Sequence, residues 1–224
     1  MSKSTGGHRR GRPPGTTARE LELVALRLFT EQGFDETTVE QIAATAGVSR
    51  RTFFRYYDSK TAVLWYAFDG EIARLRAAFA EVADDVPLME AIRAAVVGVN
   101  TYRAEDIPEL RARMNLIGSV TALQASAAPH YDDWERVVGE FAAARLGRPA
   151  DSLYPLTISR TTLAACRAAF DHWVASADHE LTADLDLALR ALGTGFAELG
   201  SEPAVYRDSR PGRAGGVDGG FLLE

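Results

Sequence analysis

Apolar residues recur every three or four positions along most of the chain, and alternating Val/Ile/Thr runs and Asn-Gly or Asp-Gly hairpin turns are missing. The pattern predicts helices throughout, hence an all-α fold. A first helix is predicted over 18–32. Thr17 and Glu20 form a capping box at its start, Leu21, Val24, Leu28 and Phe29 make its stripe, and Gly33 ends it. A second box, Thr38 with Gln41, opens a short helix whose Val39, Ile42 and Ala46 share one face before Gly47. Ser49 then caps a third, in which Phe53 and Tyr57 stand i, i+4 and point inward together. Two short helices joined by a tight turn with glycine read as a helix-turn-helix, with the later one as recognition helix.

The rest of the pattern predicts a long helix from Ser59 or Thr61 to Ala83, then helices over 88–102, 108–126, 129–145, 153–176 and 182–199. In the last of these, Leu185, Leu189, Leu192, Phe196 and Leu199 alternate spacings of four and three. Such a seam suits helix packing. Its expected partner is the 153–176 helix, where Leu156, Leu163, Cys166, Phe170 and Trp173 form a stripe beside small alanines. Two helices from each subunit would then build a four-helix dimer interface, with Leu163, Phe170, Trp173, Leu185, Leu189, Leu192 and Phe196 at the contact. The alternative is that both stripes are buried inside one subunit.

Composition narrows the class. With 46% hydrophobic residues in 224, the chain holds enough apolar sequence for one sizeable core or two small ones, which excludes disorder of the whole. The single Cys166 rules out a disulfide framework and a Cys-based zinc site. No long apolar run marks a membrane span or secretory signal, so the cytoplasm is the expected address and no membrane partner is expected.

The net charge of −6 argues against nucleic acid only if it is spread evenly. Residues 1–60 carry ten Lys/Arg against seven Asp/Glu, leaving fifteen against twenty-four in 61–224, so a head of +3 sits on a body of −9. Four units are expected: a disordered basic arm (1–15), a helix-turn-helix domain (16–60), a ligand-binding and dimerisation domain (61–200) and a flexible Gly/Pro-containing tail (201–224).

In the recognition helix, Arg50 and Arg51 fall in the first turn, where side chains reach base edges and an arginine can pair both guanine acceptors. Thr38, Thr52, Tyr56 and Lys60 are placed to hold phosphates, and the cap Ser49 joins the candidate DNA contacts. Phe54 either packs in the core or touches a thymine methyl. The bland alternative is a solvated basic face. In the arm, Arg10-Gly11-Arg12-Pro13 matches the core of an AT-hook, which puts Arg10 and Arg12 in a narrow A·T minor groove unless the arm is only a solubilising tail.

Thr37-Thr38-Val39-x-x-Ile42-Ala43-x-x-Ala46-Gly47-Val48-Ser49, followed by Thr52-Phe53-Phe54-Arg55-Tyr56-Tyr57-x-Ser59-Lys60, resembles the signature of TetR-type transcriptional regulators. The resemblance implies a homodimer on a double-stranded DNA operator, a helical ligand-binding body, and repression relieved by a small molecule. By motif position it implies DNA contacts from Thr38, Arg50, Arg51, Thr52, Phe54, Tyr56 and Lys60. Phe54 stands where many members carry Tyr, so a phosphate-binding hydroxyl is missing there. A narrower resemblance is to the actinobacterial subgroup associated with mycofactocin systems. It is carried by Arg50-Arg51-Thr52-Phe53-Phe54-Arg55-Tyr56, Trp65, Phe68-Asp69, Asp85-Val86-Pro87-Leu88, Arg113-Met114-x-Leu116-Ile117, Tyr131-x-x-Trp134 and Arg145-Leu146-Gly147. That subgroup implies sensing of a long-chain acyl-CoA or a related lipid thioester.

An effector cavity is expected among Phe68, Phe79, Met114, Leu116, Ile117, Tyr131, Trp134 and Phe141, although each reads first as plain core, since an aromatic stripe at helical spacing needs no ligand. His130 is a candidate for the pocket mouth or for an exposed helix cap, and Arg111 and Arg113 for meeting an acidic head group. No catalytic residue, cofactor or metal site is expected. There is no Gly-x-Ser-x-Gly elbow, phosphate-binding Gly-rich loop or His-Glu-x-x-His pair. Asp178-His179-Glu180 are neighbours whose side chains diverge, and read as a polar turn. Two functions survive: a ligand-responsive repressor, and an architectural or co-regulatory DNA-binding protein with a filled core and no effector.

Overall fold

The computed structural model describes residues 17–195. Arg10, Arg12, Phe196 and Leu199 lie outside them, as do the expected arm and tail. Within the described residues the chain is all helical, apart from turns and loops.

The first three helices follow their local signals. α1 (Ala18–Gln32) is closed by the Thr17 box: the Glu20 amide donates to Thr17 Oγ1 at 3.2 Å and the Thr17 amide to Glu20 Oε2 at 2.7 Å. α2 (Val39–Thr45) has the same reciprocal pair between Thr38 and Gln41. Gly47, at φ 69°, takes the left-handed conformation that turns the chain from α2 into α3. α3 (Arg50–Phe53) is one turn long with Ser49 as its cap, and a further loose turn carries the chain to Tyr57. Phe53 and Tyr57 are both buried, with ring centroids 5.5 Å apart, and the Tyr57 hydroxyl donates to the Ala18 carbonyl at 2.6 Å.

α4 (Ala62–Ala80) ends one turn before the predicted Ala83, and α5 (Leu88–Val99) stops at Asn100, whose side-chain amide donates back to the Val96 carbonyl at 2.9 Å. The predicted 108–126 helix is two helices, α6 (Ile107–Ser119) and α7 (Thr121–Ala125). Val120 between them is extended, and the break turns Leu123 into the core of the head, where it is fully buried. α8 (Ala128–Leu146), α9 (Leu153–Ala175) and α10 (Leu181–Gly193) complete the body. α9 packs between α8 and α10, α5 closes against α10, and α6 crosses α9.

Two main apolar clusters result. The head cluster gathers Leu21, Phe29, Ile42, Phe53 and Tyr57, and also takes Val63 and Leu64 from α4 and Leu123 from α7. The body cluster corrects the predicted dimer seam. Leu163, Trp173, Leu185 and Leu189 are buried in it within a single chain, and Phe170 and Leu192 are partly buried against it. The physical reason is that a stripe of period 3.5 states that a helix packs, without stating on what; here α9 and α10 use their apolar stripes on each other and on α4, α5 and α8. What they leave outside is a second face, with Ala164, Ala168, Ala183 and Leu187 exposed.

Candidate functional site

At the head, Thr38, Ser49, Arg50, Arg51, Phe54 and Tyr56 are exposed on and around the α2–turn–α3 unit, with Thr52 half-buried. Arg50 Nε pairs with Glu40 of α2 at 3.0 Å with both side chains mostly in water. Such a pair is worth little and opens readily. The Arg50 guanidinium also lies 5.3 Å from the centre of the Phe54 ring, so Phe54 is neither core nor unattached: it props the arginine. Lys60 has a structural role beside the predicted one. Its Nζ donates to the Phe34 carbonyl at 2.6 Å and the Thr37 carbonyl at 2.9 Å, and lies 4.1 Å from the Phe34 ring centre. Two of its three N–H donors tie the α1–α2 loop to the start of α4, which leaves one for a phosphate.

In the body, a cavity of about 430 Å³ opens between α4, α5, α6, α8 and α9, a volume within the range of small-molecule sites. Phe68, Met114, Ile117, Tyr131 and Trp134 line it, as do Leu163 and Phe170, which the sequence had assigned to the dimer seam. Phe79 and Phe141 do not. Their rings stack on each other with centroids 4.2 Å apart, and they are core. Trp65, absent from the expected lining, forms one wall, fixed by its indole N–H donating to Ser126 Oγ at 2.9 Å. His130 stacks on the Trp65 ring, 4.6 Å between centroids, and meets Asp69 at 2.8 Å.

The polar lining is sparse: Glu71, Asn100, Arg113, Gln124, Arg167 and Asp171. Burial pushes the Glu71 carboxyl above its ordinary value, against the lowering effect of the hydrogen bond it accepts from the Tyr102 hydroxyl. The Arg167 guanidinium lies 5.2 Å from the Tyr131 ring centre. Burial pushes the Cys166 thiol up to about 12, which makes it an inert wall rather than a nucleophile. Arg111 does not reach the cavity. It donates to the carbonyls of Trp173, Val174 and Ser176 and lies over the Trp173 ring, closing the C-terminal end of α9.

Arg113 is the polar residue that sequence reasoning placed only loosely. It lines the cavity, is buried, and from α6 donates through Nη2 to Glu22 Oε1 of α1 at 2.6 Å and to Glu109 Oε1 at 2.7 Å. Arg19 closes the square, with Nη1 to Glu22 Oε2 at 3.0 Å and Nη2 to Glu109 Oε2 at 2.7 Å. Two arginines and two glutamates thus compensate each other where α1 meets α6. The Arg113 Nε is buried and has no hydrogen-bond partner among the described residues. An apolar stripe gives no hint of this square, whose two halves stand about ninety positions apart in the chain.

Among the described residues no helix is long and apolar enough to cross a membrane. Residues 23–66 match the family of bacterial regulatory proteins of the tetR type, and residues 86–197 match the MftR C-terminal domain. A protein of Mycobacterium tuberculosis (strain H37Rv), described as a candidate mycofactocin biosynthesis transcriptional regulator, MftR, is 34% identical over 84% of this chain and 96% of its own length. The fold is shared with Thermus thermophilus FadR, a TetR-family repressor solved with lauroyl-CoA (TM-score 0.54, 24% identity, 88% of this chain and 100% of that one). It is also shared with Bacillus subtilis FadR solved with stearoyl-CoA (TM-score 0.57, 17% identity, 80% and 99%). With a matched helix-turn-helix head and a matched C-terminal body, the chain belongs to the TetR family of bacterial transcriptional regulators, in the branch with an MftR-type C-terminal domain, and is not an enzyme.

Proposed function

We propose that the protein is an effector-released repressor: a homodimer that holds a short palindromic operator and lets go when a long-chain acyl-CoA, or a lipid thioester like it, enters the body. The observation that carries this reading is the double position of Arg113, which is at once cavity wall and buried ion-pair partner of Glu22 on the first helix of the head. The acyl chain has apolar walls to lie against, from Phe68, Met114, Ile117 and Trp134. The thioester carbonyl would accept from the unpartnered Arg113 Nε. A ligand that draws on Arg113 weakens its hold on Glu22, and the head loses the orientation it needs on DNA. Ligand shifts the equilibrium only by its difference in affinity for the two arrangements. The lauroyl-CoA and stearoyl-CoA complexes of the two FadR neighbours support this effector class.

On DNA, Arg50 and Arg51 read base edges, Thr38, Ser49, Thr52 and Tyr56 hold phosphates, Phe54 steadies Arg50, and Arg10 and Arg12 of the arm follow an A·T minor groove. The dimer forms through the outer face of α9 and α10, where small Ala164, Ala168 and Ala183 let backbones approach and exposed Leu187 supplies apolar contact. Two-fold symmetry matches the two half-sites of an operator. The test is a binding titration on the protein's own upstream region against random DNA of equal length, with and without lauroyl-CoA and stearoyl-CoA. Preferential binding that the acyl-CoA abolishes supports the proposal. Equal binding to both DNAs overturns operator recognition, and operator binding indifferent to acyl-CoA leaves the architectural role.

A further inference from the structure

At the corner where α9 hands over to α10, three side chains from three elements bring one ligand-type atom each to a common point. They are His172 from the last turn of α9, His179 from the connecting loop and Asp184 from the first turn of α10. His172 Nδ1 lies 3.0 Å from Asp184 Oδ2 and 3.0 Å from His179 Nδ1, and His179 Nδ1 lies 3.4 Å from the same carboxylate oxygen. His179 therefore works with residues seven and five positions away, and not with its neighbours Asp178 and Glu180.

Protons alone do not satisfy this triangle. If His172 Nδ1 carries a hydrogen shared between the other two atoms, the lone pairs of His179 and Asp184 still face each other. If both imidazoles carry one at Nδ1 and donate to Asp184, their nitrogens are left 3.0 Å apart with no hydrogen bond between them. A single cation above the triangle satisfies all three edges at once. Tetrahedral zinc with bonds of about 2.0–2.1 Å sets its ligand atoms about 3.3 Å apart, close to the edges seen here. Two imidazoles and a carboxylate are a donor set suited to zinc, and His172 is mostly exposed in the single chain.

We propose that His172, His179 and Asp184 bind one zinc ion per chain, with water in the fourth position, clipping the end of α9 to the start of α10. The experiment uses the untagged full-length protein, stripped with EDTA and dialysed, and titrated with zinc chloride in a calorimeter. One ion per chain is expected, with affinity at least tenfold weaker in His172→Ala and in His179→Ala, and melting raised by zinc in the wild type only. Cobalt(II) in place of zinc is expected to give the visible absorption of a tetrahedral site in the wild type, bleached by added zinc. Helical circular dichroism checks each variant; where a variant does not fold, the wild-type cobalt spectrum decides. Absence of stoichiometric zinc binding and of cobalt absorption, or binding that persists unchanged in both variants, overturns the proposal.

Discussion

Arg113 and Glu22 stand 91 positions apart in sequence and 2.6 Å apart in space, both almost entirely out of water. The pair joins the wall of the effector cavity to the first helix of the DNA-binding head. Removing one member of a buried pair leaves an uncompensated charge and costs about 3–5 kcal/mol. Arg113→Met is expected to lose toward the lower end of that range, because Arg19 still holds Glu22. Urea unfolding measures the loss, and Glu22→Gln combined with Arg113→Met should recover part of it, which a double-mutant cycle reads directly. Operator binding by Arg113→Met should no longer respond to acyl-CoA.

Arg50→Ala is expected to cost about 1–3 kcal/mol on the operator and to relax base preference, with little effect on random DNA. Lys60→Ala should behave differently. It loses two part-buried hydrogen bonds from an ammonium to carbonyls, so stability should fall by about 1.5–3 kcal/mol, and an unchanged salt slope of DNA binding would show that the third N–H holds no phosphate. A slope reduced by one unit would return Lys60 to the phosphate backbone.

Filling the cavity separates sensing from DNA binding. Met114→Trp adds bulk to the lining and should weaken acyl-CoA binding at least about tenfold, or 1.4 kcal/mol, with operator affinity retained. Because Trp65 and Trp134 both face the cavity, effector binding should change their fluorescence, and this gives the readout.

Glu71 predicts a pH dependence. Its folded carboxyl titrates above the ordinary value because burial disfavours the charge, so the folded state binds the proton more tightly than the unfolded chain does. Stability from this group is then greatest below the ordinary carboxylate range and declines as pH rises from there through the raised folded value. Glu71→Gln should flatten that part of the curve and leave the neutral-pH protein more stable, as urea midpoints at successive pH values will show. A steeper decline in the variant would refute the assignment.

Leu187→Glu puts a charge on the outer face of α10 without touching the core, since Leu187 is 69% exposed in the single chain. Sedimentation should show the dimer shifted to monomer, with operator affinity lost and helical content kept. A dimer of unchanged strength would place the interface elsewhere.

What was legible in the sequence were the features set by neighbours in the chain. The Thr17, Thr38 and Ser49 caps and the inward pair Phe53 and Tyr57 obey rules that span three or four residues. Apolar residues such as Trp134 and Ile117 were found because a cavity in a helical body is built from the same stripes as its core. The stripes of α9 and α10 were visible too, but period does not reveal which surface a stripe meets, and so Leu185 and Leu189 were set on the wrong side of the molecule's boundary. The partners of Lys60, Glu22 and His179 were missed because they lie on other elements. A polar residue on a helix looks solvated until the fold brings its counterpart.

The head does not own all of its core: Val63, Leu64 and Leu123 come to it from α4 and α7. A reading head cut at residue 60 would leave an open socket where those three side chains belong, and the remaining body would display them to water. Exchanging heads between members of this family, in the laboratory or in evolution, therefore cannot be done with one cut. A transplanted head must bring residues that fit side chains supplied by the adjoining α4 and the distant α7, which makes DNA specificity and effector sensing harder to recombine than their separate places along the chain suggest.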